Sequence, residues 1–374
     1  MSTPRTFTIS FTGDVMLGRL LDQLMPEHVK NERDERIAAT FIKAHQTMLG
    51  KGNYKPSSPW GTTLPLLQSS TLTCINLETA VTTAPTPWPD KAFNYRMHPE
   101  NLGPILHAAS VDYASLANNH TLDFGVDGLT ETVHTLQAAQ IAYAGAGETA
   151  DEARKPAILH LPSAANSTHQ GHTVHVYSAS DHPRAWAGIP GFHLFEYTRA
   201  MREKLRAMLV DSEEEAPALK IFSVHWGPNY AWEPDGRIRG LAHFLVDECG
   251  VDIVHGHSSH HVQGVEVYHG KLIIYGCGDF VDDYALNEEY RNDLGAVWRV
   301  VVREKGGGDD GIEVERLEIF PTRVQRFRAT LLDSVDADHV WVRRRIRSLS
   351  ADLGTTVRSQ LGEEGEIVVQ VAGG

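Results

Sequence analysis

Five apolar runs in this chain each stop at a short cluster of residue types able to ligate a divalent metal. Residues 7–12 run into Gly13-Asp14, 72–75 into Asn76-Leu77-Glu78, and 111–117 into Asn118-Asn119-His120. Residues 218–224 run into His225-Trp226-Gly227, and 251–254 open onto His255-Gly256-His257-Ser258-Ser259-His260-His261. Carboxylate, amide and imidazole ligands without thiolate suit Mn, Fe or Zn over Ca or Mg. An ion held this way lowers the pKa of a bound water until it can attack phosphorus or a carbonyl carbon, the chemistry of a metal-dependent hydrolase.

Taken singly, each cluster has an ordinary structural explanation. An aspartate after a strand, such as Asp14, commonly caps a helix. Five clusters in sequence argue for convergence instead, because ligands gather beyond the carboxyl ends of strands in a helix-covered sheet. Glu78 follows Cys74, Ile75 and Leu77, and the cost of burying it unpaired would be offset by a cation. In the last cluster His255 and His257 would share one side of an extended segment. His257 and His260 would meet if the loop coiled into a helical turn. Spacing does not choose between these pairs.

Around the clusters, Asp123 is expected either to orient a histidine or to cap a helix. Arg19 and Arg96 stand nearest and are expected to grip an anionic substrate. Cys277 and Asp279 read as a wall of the site, with Asp279 a polar neighbour of the ligands. The chain has no Gly-x-Ser-x-Gly nucleophile elbow. Gly306–Gly308 lacks the lysine of a phosphate loop and reads as a turn.

Strands must position these residues. Residues 7–12, 72–76, 111–117, 141–144, 174–178, 220–224 and 251–254 read as strands, alternating with helical patterns at 101–109, 128–140, 199–210 and 239–249. A helical insertion occupies about residues 26–70. Four close-spaced β runs follow at 262–268, 271–276, 296–303 and 312–319, with residues 306–311 as the hairpin loop between the last two. Residues 336–353 read as a helix with Val340, Val342, Ile346 and Leu349 on its apolar side. Alternating α and β followed by consecutive β predicts two face-to-face sheets with helices outside. Residues 1–330 form one unit in this reading, and 331–374 add a helix and strand to it.

Composition bounds the function further. Lys and Arg number 34 against 48 Asp and Glu, a formal net charge of −14. That balance speaks against nucleic acid and anionic membranes as partners, both of which favour a basic face. No run approaches the length of a membrane span and no signal peptide precedes residue 7, so a cytoplasmic location is expected. Three widely spaced cysteines read as reduced apolar side chains.

Together, Gly13-Asp14-Val15-Met16-Leu17-Gly18-Arg19, Asn76-Leu77-Glu78-Thr79, Leu116-Ala117-Asn118-Asn119-His120, His225-Trp226-Gly227 and Gly256-His257-Ser258-Ser259-His260 resemble the motifs of the CapA family. That family is named for poly-γ-glutamate capsule synthesis and belongs to the calcineurin-like metallophosphoesterase superfamily. The resemblance covers about residues 7–330. It implies an α/β four-layer αββα sandwich: two mixed sheets face to face, helices outside, and a metal site at the sheet edge. One or two divalent ions (Mn, Fe or Zn) would be held by Asp14, Glu78, Asn119, His225, His257 and His260, with Glu78 bridging if there are two. His255 and His261 would be spectators. His120 would be the free acid that protonates the leaving group, with Asp123 and Arg19 beside it. The wider superfamily begins with Asp-x-His, whereas Val15 and Met16 follow Asp14 here, so one usual histidine ligand is missing. The expected function is hydrolysis of a phosphoester or amide in a small anionic or polyglutamate-like substrate. The alternative is a non-hydrolytic role in poly-γ-glutamate biosynthesis or binding.

Overall fold

The apolar runs are strands covered on both faces, which is why they read as continuous and not as alternating. The computed structural model describes residues 4–50, 52–162, 171–211, 216–305 and 311–372. Its larger sheet has nine strands. Thr6–Val15, Leu72–Leu77, Tyr113–Ser115 and Ala142–Ala144 lie side by side and parallel. On the other flank of Thr6–Val15, Leu294–Glu304, Ile312–Val324 and Ala329–Leu331 continue antiparallel. Asp279–Val281 pairs parallel with the end of Thr6–Val15, and Ile367–Gln370 pairs with Ile312–Val324.

The second sheet has six strands, with Lys271–Ile274, Ile253–His257, Leu219–His225 and His172–Ser180 parallel in its centre. Val265–Tyr268 and Ala157–Leu161 close its two edges antiparallel.

Packing makes this a four-layer αββα sandwich. One apolar cluster lies between the sheets, with Ile9, Phe11, Cys74 and Trp298 from one meeting Val176, Ile221, Ile253 and Ile274 from the other. A second joins the outer face of the larger sheet, through Ile75, Leu77 and Ala114, to Leu102, Ile105 and Leu106 of helix Pro99–Ala108 and to Leu129, Val133 and Leu136 of helix Gly125–Ala138. A third sets Phe222, Val224 and Val254 against Leu205 of helix Arg199–Arg206 and Ile238, Leu241 and Leu245 of helix Gly236–Cys249. Successive residues such as Ile221 and Phe222 face opposite layers, as the pleat requires.

The expected elements are present with shifted ends. The run 111–117 holds a strand only over Tyr113–Ser115. The insertion carries a helix over Glu32–Ala44, capped by the Asn31 side chain. Ala157–Leu161 is a strand that the sequence reading passed over. Helix Ala337–Asp352 buries Val342, Ile346 and Leu349 and is capped by Asp336. Residues 306–310 of the expected hairpin loop lie outside the described residues, and the strands flanking them pair antiparallel, Glu304 opposite Ile312. All three cysteines are buried and free. Among the described residues no helix is long and apolar enough to cross a membrane.

Candidate metal centre

The carboxyl ends of the parallel strands in both sheets meet at one edge, and the clusters meet with them. In the larger sheet, one extra residue in Thr6–Val15 shifts the register between Phe11 and Asp14. Such a bulge re-aims the side chain that follows it. Asp14 thereby sits beside both Asn76 and Asp279. In the second sheet His225 is registered opposite His257.

Close backbone approach makes this edge. A Cβ on Gly13 would lie 1.7 Å from the Gly278 carbonyl oxygen, and one on Gly256 would lie 2.2 Å from that of Tyr275. Gly13→Ala is therefore expected to push the Asp279 strand away from Asp14. Overpacking of this kind costs on the order of 3 kcal/mol, readable by denaturant unfolding, and elemental analysis should show less bound metal per chain.

Two ligand groups share one residue. Asp14, His225 and His257 place ligand atoms all within 4.8 Å of one another, and Asp14, Glu78, His260 and Asp279 form a second such group. The residue common to both is Asp14, whereas Glu78, expected to bridge, belongs to the second alone. His260 Nδ1 lies 2.8 Å from Asp279 Oδ1 and 3.6 Å from Asp14 Oδ2. His257 and His260 reach this edge without a helical turn: Ser258 and His260 adopt left-handed φ of 97° and 61°. His255 does share the His257 side of the strand, both contacting Ser223 Oγ. Its nitrogens contact Ser223 Oγ and the Thr12 carbonyl oxygen at 2.9 Å, and it belongs to neither ligand group. His261 packs against Trp232 and Tyr290, away from both groups.

Whether these residues fit a cation is tested by the atoms they leave over. Asp14 Oδ2, Glu78 Oε1, Asp279 Oδ2 and Asn119 Oδ1 are buried without a hydrogen-bond partner. Orphaned buried acceptors are rare and costly; the three carboxylate oxygens, with three imidazoles, fit a divalent ion, and Asn119 lines the cavity beside them. Electrostatics agree. Burial raises the Asp14 carboxyl, and burial together with Asp14 pushes Glu78 well up. Burial, with Asp282 and Asp14, pushes Asp279 well up. Burial holds His225 and His257 well below their ordinary value. A cation reverses the first effect and needs the second, since imidazole ligates in its neutral form. Burial likewise raises the Cys277 thiol, and Cys277 belongs to neither group.

Asn76 and Asn118 are the scaffold of the first cluster. Asn118 Nδ2 donates to Asn76 Oδ1 and to the Leu77 carbonyl, and Asn76 Nδ2 donates to Asp14 Oδ1 at 2.8 Å. Beside it, His120 Nδ1 lies 2.6 Å from Asp123 Oδ2, and its ring stacks on Tyr95 at 3.9 Å. Asp123 thus orients His120 and caps no helix; helix Gly125–Ala138 has no side-chain cap. Lys91, unremarked in the sequence reading, bonds Asp123 Oδ1 and the Asn119 carbonyl and lies 3.0 Å from His120 Nδ1.

A cavity of about 470 Å³ opens onto these groups, lined by Arg19, Lys91, Tyr95, Asn119, His120, Tyr230, His260 and Tyr284 among others. Tyr284 donates to Glu78 Oε2 at 3.1 Å. Arg19 lies over the Tyr95 ring and 3.4 Å from Asp283. Arg96, expected beside it, instead donates to the Ala84 carbonyl and lies over Phe124, outside this cavity.

The chain belongs to the bacterial capsule synthesis protein family (PGA_cap), whose profile matches residues 8–284. A Mycobacterium tuberculosis protein (strain H37Rv) named "Probable polyglutamine synthesis accessory protein" is 34% identical over 95% of this chain and 94% of its own. The PGA biosynthesis protein CapA of Bacillus subtilis (strain 168) is 26% identical over 73% of this chain and 63% of its own. Among solved structures, calcineurin-like phosphoesterase YfkN from Bacillus subtilis aligns with 83% of this chain and 89% of its own at 12% identity, with a TM-score of 0.41.

Proposed function

We propose that this protein is a metal-dependent hydrolase acting on a phosphoester or amide bond in a small anionic or polyglutamate-like substrate. The observation that carries the reading is the convergence of three partnerless buried carboxylate oxygens, from Asp14, Glu78 and Asp279, with His225, His257 and His260, beside a cavity lined by Asn119. Loaded with divalent ions such as Mn, Fe or Zn, such a site supplies a Lewis acid and a water of lowered pKa.

The chain's own residues do the rest. Arg19 and Lys91 give the cavity its positive side, where an anionic group can dock. Asp123 accepts the Nδ1 proton of His120, which leaves Nε2 as the nitrogen that can carry a proton to the leaving oxygen or nitrogen. Burial lowers His120 to about 4, with Asp123 opposing and Lys91 adding to the fall. An anionic substrate beside the ring favours its charged form, so substrate itself loads the acid. Tyr95, stacked on the ring, limits its rotation.

The relatives' names favour a second reading, in which the protein binds or guides a polyglutamate chain without cutting it. One panel separates the chemistries: an aryl phosphate, an aryl phosphodiester and a γ-glutamyl anilide, each with Mn or Zn and with a chelator control. Chelator-sensitive turnover of at least one is expected. No turnover of any, by protein shown to contain metal, removes the hydrolase reading.

A further inference from the structure

The strand His172–Ser180 is a further parallel strand at the edge that carries the candidate ligands, and it too ends in chemistry. Register sets Ser180 beside His225 and His225 beside His257, and Asp181 and His182 follow directly. Asp181 is fixed by three bonds. Its backbone N–H donates to the His225 carbonyl at 3.1 Å, and its Oδ2 accepts from the Tyr197 hydroxyl at 2.8 Å and the Gly227 N–H at 2.9 Å. Its Oδ1 is bonded to His182 Nδ1. An acceptor there places the neutral ring's proton on Nδ1 and the lone pair on Nε2.

The His182 ring stands 5.1 Å from that of His225 at 45°, and His225 stands 5.0 Å from His257 at 48°. Three imidazoles thus form an evenly spaced row across three neighbouring strand ends. His182 is the outermost, its side chain 29% exposed where His225 is buried.

A histidine that gives one ring N–H to a fixed carboxylate and keeps the other nitrogen free is in the state that ligates metals. Asp14, His225 and His257 supply three ligands, and an ion that takes five or six ligands has room for a further nitrogen beside its water. Their two imidazoles touch through Nδ1 at 2.8 Å. His182 is outside the group of three, with its ring beside that of His225 and one flank exposed.

We propose that His182 is a further protein ligand of the cation held by Asp14, His225 and His257, and that Asp181 is the residue that positions it. The assignment rests on the reading of this edge as a metal centre. Competition titration with a chromophoric chelator, and the absorption spectrum of the Co(II)-loaded protein, test it without any substrate. His182→Ala is expected to weaken one cation at least 10-fold and to change the Co(II) bands. Asp181→Asn is expected to weaken the same cation by about 10–100-fold, the usual effect of removing a carboxylate behind a ligating histidine. Circular dichroism of the metal-free variants shows whether each still folds, and either variant alone suffices. Wild-type affinity and an unchanged spectrum in a folded His182→Ala protein overturn the ligand assignment and leave the metal centre standing. Lost turnover with unchanged affinity does the same and makes His182 a substrate contact. A wild-type protein that binds no cation overturns both.

Discussion

Asp14→Asn is expected to empty both ligand groups at once, whereas His225→Ala should empty one. Asp14 is the residue the two groups share, and the substitution keeps its size while removing the negative charge between them. Elemental analysis after loading with Mn or Zn should find metal in the wild type, less in His225→Ala, and none in Asp14→Asn. A cation at a thousand times its Kd stabilises the folded state by about 4 kcal/mol, so the loaded wild type should melt well above the loaded Asp14→Asn variant. Without metal the order should reverse. Burial raises the folded-state carboxyl of Asp14 above its ordinary 3.8. A raised group contributes stability that is fully present below the unfolded pKa and is lost as pH rises through the folded one. Metal-free wild type should therefore lose stability from about pH 4 upward, steepened by Glu78 and Asp279, which are pushed up likewise. Metal-free Asp14→Asn lacks one of those contributions and should melt above metal-free wild type at pH 8. The gap between loaded and metal-free wild type should widen over the same interval. Equal metal content in wild type and Asp14→Asn would sink the shared-ligand arrangement.

Where the sequence was legible, the signal was a strand end. Asp14, Glu78, His225 and His257 each close a run of buried residues, and a parallel sheet delivers all such ends to one edge. What stayed hidden depended on contacts between distant segments. Asp279 enters the ligand group because a three-residue strand pairs with Thr6–Val15 from 265 positions away, and no local pattern encodes that register. The same pairing makes Asp14 the shared residue and not Glu78. The left-handed turn at Ser258 and His260 brings His260 to Asp14 through a backbone conformation uncommon outside glycine, so helical spacing was a poor guide there. Lys91 follows a proline-rich loop without periodicity, and only its bonds to Asp123 and Asn119 reveal its place. Asp181 and His182 are a different case, because they end a strand as the five recognised clusters do. The sequence carries the same signal there.

His120→Asn is expected to lower turnover by about 10²–10⁴-fold, the usual worth of a general acid, while leaving metal content and the melting of the loaded protein near wild type. His120 belongs to neither ligand group, and its Nδ1 is engaged by Asp123. The pH profile gives the sharper test. A general acid must be protonated in the complex, so kcat should fall as pH rises through the His120 pKa there, and His120→Asn should erase that limb. Asp123 is the group that raises His120 against burial and Lys91, so Asp123→Asn should move the limb to lower pH. A merely structural Asp123 would reduce activity at every pH alike. If the protein instead only binds polyglutamate, His120→Asn should leave affinity for that chain intact, and no alkaline limb should exist to be moved. Arg19 separates the readings a second time: Arg19→Ala should raise KM more than it lowers kcat for an anionic substrate, because its guanidinium lies at the cavity wall beside Tyr95 and outside both ligand groups.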